Sequence, residues 1–185
     1  FQQTIGASSY VTQWVYNIAY HYKWNAVRDK SWNYINWDAL VFDKIHQLFG
    51  GRLKIILNGG APLTYELYEW LRVCTGVHIM QGYGLTETFG GCVCQLPRMT
   101  DMNQLSVGSS CPGVEVRLES VPEMEYLVTD AQPSGEVQIR STLVMREYFE
   151  NPEETAAVMT PDGFFRTGDI GRIISDGSLV IIDRK

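Results

Sequence analysis

The sequence predicts a mixed α/β fold, with an α/β sheet part followed by a small β-rich, barrel-like part. In the first half of the chain, segments with helical spacing of apolar residues alternate with short apolar runs, as expected of helices and buried strands. After about residue 105, short strand-like segments are separated by glycine and proline turns. The length of 185 residues and the 45% hydrophobic content suffice for roughly one domain with a sizeable core.

Two helices are predicted near the start of the chain. Residues 11–28 have apolar side chains at helical spacing, and such a stripe is more typical of core packing than of a cofactor site. The stripe consists of Val11, Trp14, Val15, Ile18, Ala19 and Tyr22. Residues 38–49 repeat the spacing, and Gly50-Gly51 ends this second helix as glycine commonly does.

The next segments predict a strand, a turn, a helix and another strand. Residues 52–57 form an apolar run typical of a buried parallel strand. Residues 59–62 predict a turn, and Thr64 is suited to cap a helix that reaches about Val73. The following strand is expected at 77–81. In α/β sheets with this order, ligands lie beyond the carboxyl ends of the strands.

The second half predicts a β-rich subdomain. Short strands are expected at 107–118, 126–128, 136–140, 172–174 and 178–182. One short helix interrupts them, because Asn151 is a favourable cap and Pro152 suits the first helical position.

The first candidate site follows the strand at 77–81. In Gln81-Gly82-Tyr83-Gly84-Leu85-Thr86-Glu87-Thr88, the glycines permit a turn with positive φ and close approach of a ligand. The ring of Tyr83 offers an aromatic face to a flat ring. Thr86 is able to hydrogen-bond a phosphate oxygen, and Glu87 is a hard oxygen ligand of the kind that Mg²⁺ prefers. These residues predict a site for Mg-ATP; the alternative is a plain strand-to-loop turn with a packed tyrosine.

The second candidate site is Asp169, in the segment Phe164-Phe165-Arg166-Thr167-Gly168-Asp169-Ile170-Gly171. An aspartate held in a turn is able to accept hydrogen bonds from both hydroxyls of a ribose, as an acidic residue does in dinucleotide-binding proteins of another fold. A β-turn aspartate that bonds its own backbone explains the residue equally well.

These motifs resemble those of adenylate-forming enzymes, and specifically the long-chain fatty acyl-CoA synthetases. The stretches that match in order are 37–45, 59–63, 81–88, 121–124, 135–137, 165–171 and 181–185. Residues 81–87 and 167–169 indicate the superfamily. Val121-Pro122-Glu123-Met124 and the segment that begins at Trp37-Asp38 indicate the long-chain branch.

The resemblance implies a two-step ligation that uses ATP, Mg²⁺ and coenzyme A. A fatty carboxylate attacks the α-phosphorus of ATP and releases pyrophosphate, and the thiol of coenzyme A then displaces AMP. The resemblance makes Thr86 and Glu87 the catalytic residues and Glu87 the metal ligand. The implied nucleotide-binding residues are Gly60, Ala61, Pro62, Gln81, Gly82, Tyr83, Gly84, Thr86, Asp169 and Arg184.

The resemblance also implies how the chain is organised. Residues 1–105 would be part of an α/β subdomain, 106–182 a β-rich subdomain, and 183–185 the start of a linker to a further domain. A phosphate-binding loop and a mobile domain would lie outside these residues, so we expect the 185 residues alone to be inactive.

Alternatives remain at the level of function. They are an adenylate-forming ligase for aryl or shorter acyl acids and a nucleotide-binding homologue without catalysis. Phe89 stands where long-chain members usually have a small residue, so chain-length preference stays open. Ser141 and Glu147 replace usual glycines, which concerns stability more than chemistry. A positive φ at Glu147 would cost on the order of 1 kcal/mol.

Charge and composition limit the partners. The net charge of −6 argues against nucleic acid, and small-molecule substrates are expected instead. The sequence has no run of about 18 apolar residues, so no membrane-spanning segment is expected here. Cys92 and Cys94 lack a second ligand pair, which favours free thiols over zinc. We expect an intracellular protein, with the cytosolic side of an organelle membrane left open.

Overall fold

The computed structural model describes residues 9–28, 37–96 and 106–185. These residues form two compact units. The first holds the described residues up to Ile56 together with Leu63–Ile79, and the second holds Leu57–Pro62 together with the described residues from Met80 onward. The division at residues 105 and 182 stays a prediction.

Helices build the first unit. Helix α1 is Tyr10–Arg28, a π-helical turn at Asp38–Phe42 runs into α2 at Asp43–Leu48, and α3 is Tyr65–Thr75. The buried apolar core of this unit consists of Ala19, Phe42, Ile45, Val73 and Cys74.

The predicted apolar stripe of α1 is wrong in its phase. Ala19 is fully buried, but Trp14 is 66% exposed and Tyr22 is 56% exposed. The buried side of the helix instead continues to Lys23, which forms an ion pair with Asp38 and lies 4.7 Å from the ring centre of Phe42. A partnered lysine can therefore occupy a position that apolar spacing alone assigns to the outside.

The predicted cap of α3 and the glycine end of α2 are confirmed, whereas α3 runs two residues past its expected end at Val73. Gly50 and Gly51 follow α2 with φ of 80° and 67°. Thr64 caps α3, because its Oγ1 accepts a hydrogen bond from the backbone N–H of Leu67 at 3.4 Å. Gly76 ends the helix in the left-handed conformation.

The first sheet has the order β1-β2-β3-β4. Strand β1 is Ile55–Asn58, β2 is His78–Leu85, β3 is Gly90–Cys94 and β4 is Ser109–Ser110. The expectation of a buried strand at 52–57 is wrong, since the strand starts at Ile55 and Leu57 is 69% exposed.

The second sheet is antiparallel, with the order β5-β6-β7-β8. Its strands are Val114–Glu119, Ser134–Ser141, Phe165–Ile173 and Leu179–Arg184. Helix α4 at Pro152–Val158 begins as predicted, with the Asn151 side chain accepting from the N–H of Glu154. The β-rich character is confirmed, but the strand predicted at 126–128 is absent; only an isolated bridge joins Val121 and Tyr126.

Residues of both sheets share the core of the second unit. Its buried members are Cys92, Val93, Val114, Val137, Ile139 and Leu179. The four cysteines are free thiols, and the Sγ atoms of Cys94 and Cys111 lie 3.7 Å apart. Among the described helices, none combines the length and the apolar character needed to cross a membrane.

Candidate active site

Tyr83 and Asp169 lie in direct contact, although 86 positions separate them in the sequence. The hydroxyl of Tyr83 donates to Oδ2 of Asp169 at 2.6 Å. Burial and this hydrogen bond raise the pKa of Tyr83 well above its usual value, so the phenol stays a donor. The convergence of the two motifs that the sequence predicted is therefore present.

Asp169 lies in a strand and not in a turn, which corrects the sequence prediction. Strand β7 runs through Phe165–Ile173, and its pairing with β6 shifts register between Glu136 and Gln138. The irregularity accompanies Gly168, which has φ of 73°. Asp169 is 8% exposed, and its N–H donates to Oγ1 of Thr167 at 3.1 Å.

Arg184 faces Asp169 from the neighbouring strand β8. The two residues are register partners, and Nε of Arg184 is 3.8 Å from Oδ1 of Asp169. Because the arginine side chain is 76% exposed, this ion pair contributes little to stability. Its position beside the carboxylate nevertheless leaves the guanidinium accessible to an anionic ligand.

The segment Thr86–Thr88 forms a 3-10 turn at the carboxyl end of β2. Thr88 is fully buried and closes the turn: its hydroxyl accepts from the N–H of Leu85 at 2.9 Å and lies 3.0 Å from the carbonyl oxygen of Gly90. Thr86 is exposed on the other side of the turn. The two threonines of the motif thus have different surroundings, one structural and one open to solvent.

Glu87 is held by a segment that the motif does not contain. Its Oε1 accepts from the hydroxyl of Tyr148 at 2.8 Å, and its backbone carbonyl accepts from the N–H of Met145 at 2.7 Å. Burial and the bond to Glu87 raise the pKa of Tyr148. In the described part of the chain, Oε2 of Glu87 has no hydrogen-bond partner.

A cavity of about 380 Å³ opens beside Glu87 and Tyr148. Glu136, Arg184 and Lys185 also line it. Tyr83, Thr86, Asp169 and residues 60–62 are not among its lining residues, although Asp169 lies beside Arg184. The cavity therefore combines carboxylates with basic groups, as a site for a metal and an anionic ligand requires.

Glu136 is a buried carboxylate in this region. It is 4% exposed, accepts from the N–H of Gly168 at 3.2 Å and lies 3.5 Å from Nζ of Lys185. Its second basic neighbour is Arg166, at 3.9 Å. Glu136 therefore pairs with neighbouring basic side chains.

The first motif requires glycine for a reason other than the predicted turn with positive φ. Neither Gly82 nor Gly84 has a positive φ. A Cβ on Gly84 would lie 1.6 Å from the carbonyl oxygen of Gly90, so the antiparallel partner strand leaves no room for a side chain. The residues with left-handed backbone are Phe89 and Gly90, which follow the turn.

The remaining predicted site residues are 60–62, which follow β1, and Gln81, which lies within β2. Gly60 has φ of 82°, and residues 60–62 are exposed in a turn after β1. The preceding glycine, Gly59, approaches the backbone oxygen of Gly82. Gln81 is 4% exposed, its N–H donates to Oε1 of Gln95 at 2.9 Å, and its Nε2 has no hydrogen-bond partner.

Two residues that differ from those usual in the resembled family, Phe89 and Glu147, are described by the structure. Phe89 is 86% exposed and has φ of 55°. Glu147 does not have a positive φ, so the strain that would accompany such a backbone does not arise there. Glu150, three residues later, has a positive φ of 50°.

Comparison with known proteins shows which family this chain belongs to. The family model described as AMP-binding enzyme matches residues 13–149. This chain belongs to the AMP-binding enzyme family. The match ends before Asp169 and Arg184.

Curated relatives of this chain include acyl-CoA synthetases. Fatty acyl-CoA synthetase A of Dictyostelium discoideum is 43% identical over 98% of this chain and 27% of its own length. Long chain acyl-CoA synthetase 7, peroxisomal, of Arabidopsis thaliana is 38% identical over 98% of the chain and 26% of its own length. The chain thus spans about a quarter of the length of these relatives.

Solved structures share the fold of this AMP-binding enzyme. The A domain of carboxylic acid reductase from Segniliparus rugosus, in complex with AMP and a carboxylic acid, matches with a TM-score of 0.65 and 30% identity over 92% of this chain and 26% of that one. O-succinylbenzoate coenzyme A synthetase from Bacillus subtilis, in complex with ATP and a magnesium ion, matches with a TM-score of 0.60 and 30% identity over 71% and 26% of the two chains.

Two residues that line the cavity, Tyr148 and Lys185, are not among the site residues that the sequence predicts. Tyr148 lies 61 positions after Glu87, and Lys185 lies 49 positions after Glu136. Because the partners are so far apart in the sequence, no local pattern predicts either contact. The sequence around Tyr148 contains no signal that identifies a partner so far along the chain.

Proposed function

We propose that this chain is part of an ATP-dependent ligase that activates long-chain fatty acids to acyl-adenylates and then to acyl-CoA. The observation that carries the proposal is the contact between Tyr83 and Asp169, because it joins the two nucleotide motifs at one place. The names of the curated relatives favour fatty acids over the acids named for the more distant solved structures.

In this proposal the chain's residues bind and orient ATP. Asp169 accepts a ribose hydroxyl through Oδ1, since Oδ2 already accepts from Tyr83. The Tyr83 ring packs on adenine, with residues 60–62 and the backbone of 81–84 at the same edge. Thr86 and Arg184 contact phosphate oxygens, for which both are exposed. Holding carboxylate and α-phosphorus together removes much of the entropic cost of their reaction.

Glu87 is the residue proposed to hold Mg²⁺. The fit rests on this structure: the carboxylate lines a cavity, one oxygen is fixed by Tyr148, and the other has no hydrogen-bond partner in the part of the chain that is described. Mg²⁺ typically takes one or two carboxylates beside substrate phosphates. When bound, it would neutralise charge on the phosphates and on the departing pyrophosphate.

The proposed reaction has two steps, and in each step one bond forms as another breaks. The fatty carboxylate oxygen forms a bond to the α-phosphorus, and the bond to pyrophosphate breaks. The thiol of coenzyme A, which loses its proton, then bonds to the acyl carbon as AMP leaves.

An intracellular location at the cytosolic side of an organelle membrane belongs to the same proposal. It is supported by relatives whose names include the word peroxisomal.

The test is Glu87→Ala in the full-length protein, assayed for fatty acid-dependent AMP release with and without coenzyme A. We expect a loss of about 10²–10³-fold, the range seen when one charge-stabilising group is removed. Glu147→Ala, an exposed glutamate outside the cavity, is the matched control and should retain activity. Full AMP release by the Glu87 variant would contradict the proposal, and faster turnover with aryl or short acids would favour the other ligase class.

A further inference from the structure

We propose that Tyr148 is a positioning residue that orients the Glu87 carboxylate for magnesium. This inference rests on the proposed function, in which Glu87 is the metal ligand. The Tyr148 hydroxyl donates to Oε1 of Glu87 at 2.8 Å, and both side chains line the same cavity. The bond fixes one carboxylate oxygen and directs the other to a ligand.

The tyrosine is itself held by the start of helix α4. Its N–H donates to Oγ1 of Thr155 at 2.9 Å, and the Thr155 hydroxyl donates to the carbonyl of Asn151 at 2.8 Å. The N–H of Asn151 in turn donates to the carbonyl of Tyr148 at 3.2 Å. These bonds fix the backbone at Tyr148, the point from which its side chain reaches Glu87.

The same segment holds Glu87 at a second point. Met145 donates its N–H to the Glu87 carbonyl at 2.7 Å, three positions before the tyrosine. Backbone and side chain of Glu87 are thus bound by one segment. A carboxylate that turns freely would pay rotamer entropy on binding a cation, and a hydrogen bond to one oxygen removes most of that cost. Partners of this kind typically affect metal affinity by 10–100-fold.

A purely structural role predicts different behaviour. Removing the hydroxyl would then weaken folding and lower every ligand affinity alike. A positioning role predicts that only the part of nucleotide affinity that depends on magnesium is lost. The two roles are separable by binding measurements that do not involve turnover.

The experiment uses the full-length protein and a non-hydrolysable ATP analogue, with affinity measured by calorimetry in Mg²⁺ and in EDTA. For Tyr148→Phe we expect the magnesium-dependent gain in affinity to fall about tenfold, with the affinity in EDTA unchanged. Tyr20→Phe is the matched control, because the Tyr20 hydroxyl donates to Oε1 of Glu69 at the same distance of 2.8 Å in the other unit. The control should behave as the wild type.

Glu87→Gln and the double variant separate the two proposals. We expect Glu87→Gln to remove most of the magnesium-dependent gain, and the added Tyr148→Phe change to remove nothing further. If Glu87→Gln loses the gain while Tyr148→Phe keeps it, the positioning role is overturned and the proposed function stands. If Glu87→Gln keeps the gain, the assignment of Glu87 falls, and the role of Tyr148 with it. Equal loss in Mg²⁺ and in EDTA for Tyr148→Phe also overturns the positioning role.

Discussion

At the scale of single residues, each of the two candidate carboxylates accepts a hydrogen bond from a tyrosine. Tyr83 donates to Asp169, and Tyr148 donates to Glu87. In both tyrosines the raised pKa keeps the proton on the phenol, so neither bond is lost at neutral pH. One oxygen of each carboxylate is therefore committed within the protein, and the other is left to a ligand or, for Asp169, to Arg184.

Gly84 gives a prediction at this scale. Gly84→Ala should lower the free energy of unfolding by about 3 kcal/mol, since the new methyl group would overlap the Gly90 carbonyl and force β2 and β3 apart. Urea unfolding of the full-length protein measures the change.

The neighbouring strand offers a control for this substitution. A Cβ on Gly91 meets no atom within 4 Å, so Gly91→Ala should leave stability unchanged or raise it by about 0.5–1 kcal/mol. Equal destabilisation by the two substitutions would contradict the close approach of Gly84 to the Gly90 carbonyl as the cause.

At the scale of elements, the first motif combines a strand and a turn. Pairing of Tyr83 with Val93 and of Leu85 with Gly90 extends β2 four residues beyond its predicted end. The extension brings Tyr83 into the sheet and leaves Thr86 and Glu87 to the turn. The predicted loop and the observed strand contain the same candidate residues, but only the strand fixes which way each side chain points.

The cap of α3 gives a prediction at the scale of elements. Thr64→Ala should lower the free energy of unfolding by about 1 kcal/mol, because the N–H of Leu67 loses its side-chain acceptor. Thr64→Ser keeps an acceptor at the same place and should cost little. Thermal and urea unfolding of both variants measure the difference, and similar values for alanine and serine would contradict a capping role.

At the scale of the whole molecule, the surface of the second sheet is organised by ion pairs around Phe164. Arg117 and Arg140 lie 3.9 Å and 4.5 Å from its ring centre. Arg117 also pairs with Asp162, at 2.5 Å, and Arg140 with Glu115, at 2.6 Å. These pairs compensate charge locally on this sheet. Basic groups near the candidate site are Arg166, Arg184 and Lys185.

The pair of Arg117 and Asp162 gives a prediction about acid stability. Hydrogen bonds from Arg117 and Thr160 lower the pKa of Asp162 to about 2, from 3.8. A carboxyl with a lowered folded-state pKa contributes stability above its unfolded pKa and loses it as the pH falls through the folded value. Stability should therefore fall between about pH 4 and 2 in the wild type, and less steeply in Asp162→Asn.

Urea midpoints measured across this pH range check the prediction. Asp130→Asn is the control, as an exposed aspartate elsewhere in the same unit, and it should follow the wild type. Parallel pH curves for wild type and Asp162→Asn would show that the ion pair does not contribute. Because the group is on the surface, salt should weaken the difference.

Local sequence signals determined much of this protein. The caps at Thr64 and Asn151 and the glycine end of α2 depend on residues within one turn of one another, so spacing alone predicts them. The motifs around Glu87 and Asp169 were recognisable because neighbouring residues define them, and the family follows from the same residues. Conversely, the phase of α1 was wrong, because burial of Lys23 depends on Asp38 and Phe42 and not on the helix itself.

Only the tertiary structure decided which groups meet. Tyr148 reaches Glu87 across 61 positions, and Glu136 holds Gly168 across 32. Such contacts follow from strand pairing and from the path of intervening turns, and neither has a periodic signal in the sequence. The chemistry of the residues was readable from their order, whereas the direction of each side chain came from strand pairing and packing. The physical reason is that a shift of one residue in strand register moves every side chain of the strand to the other face of the sheet.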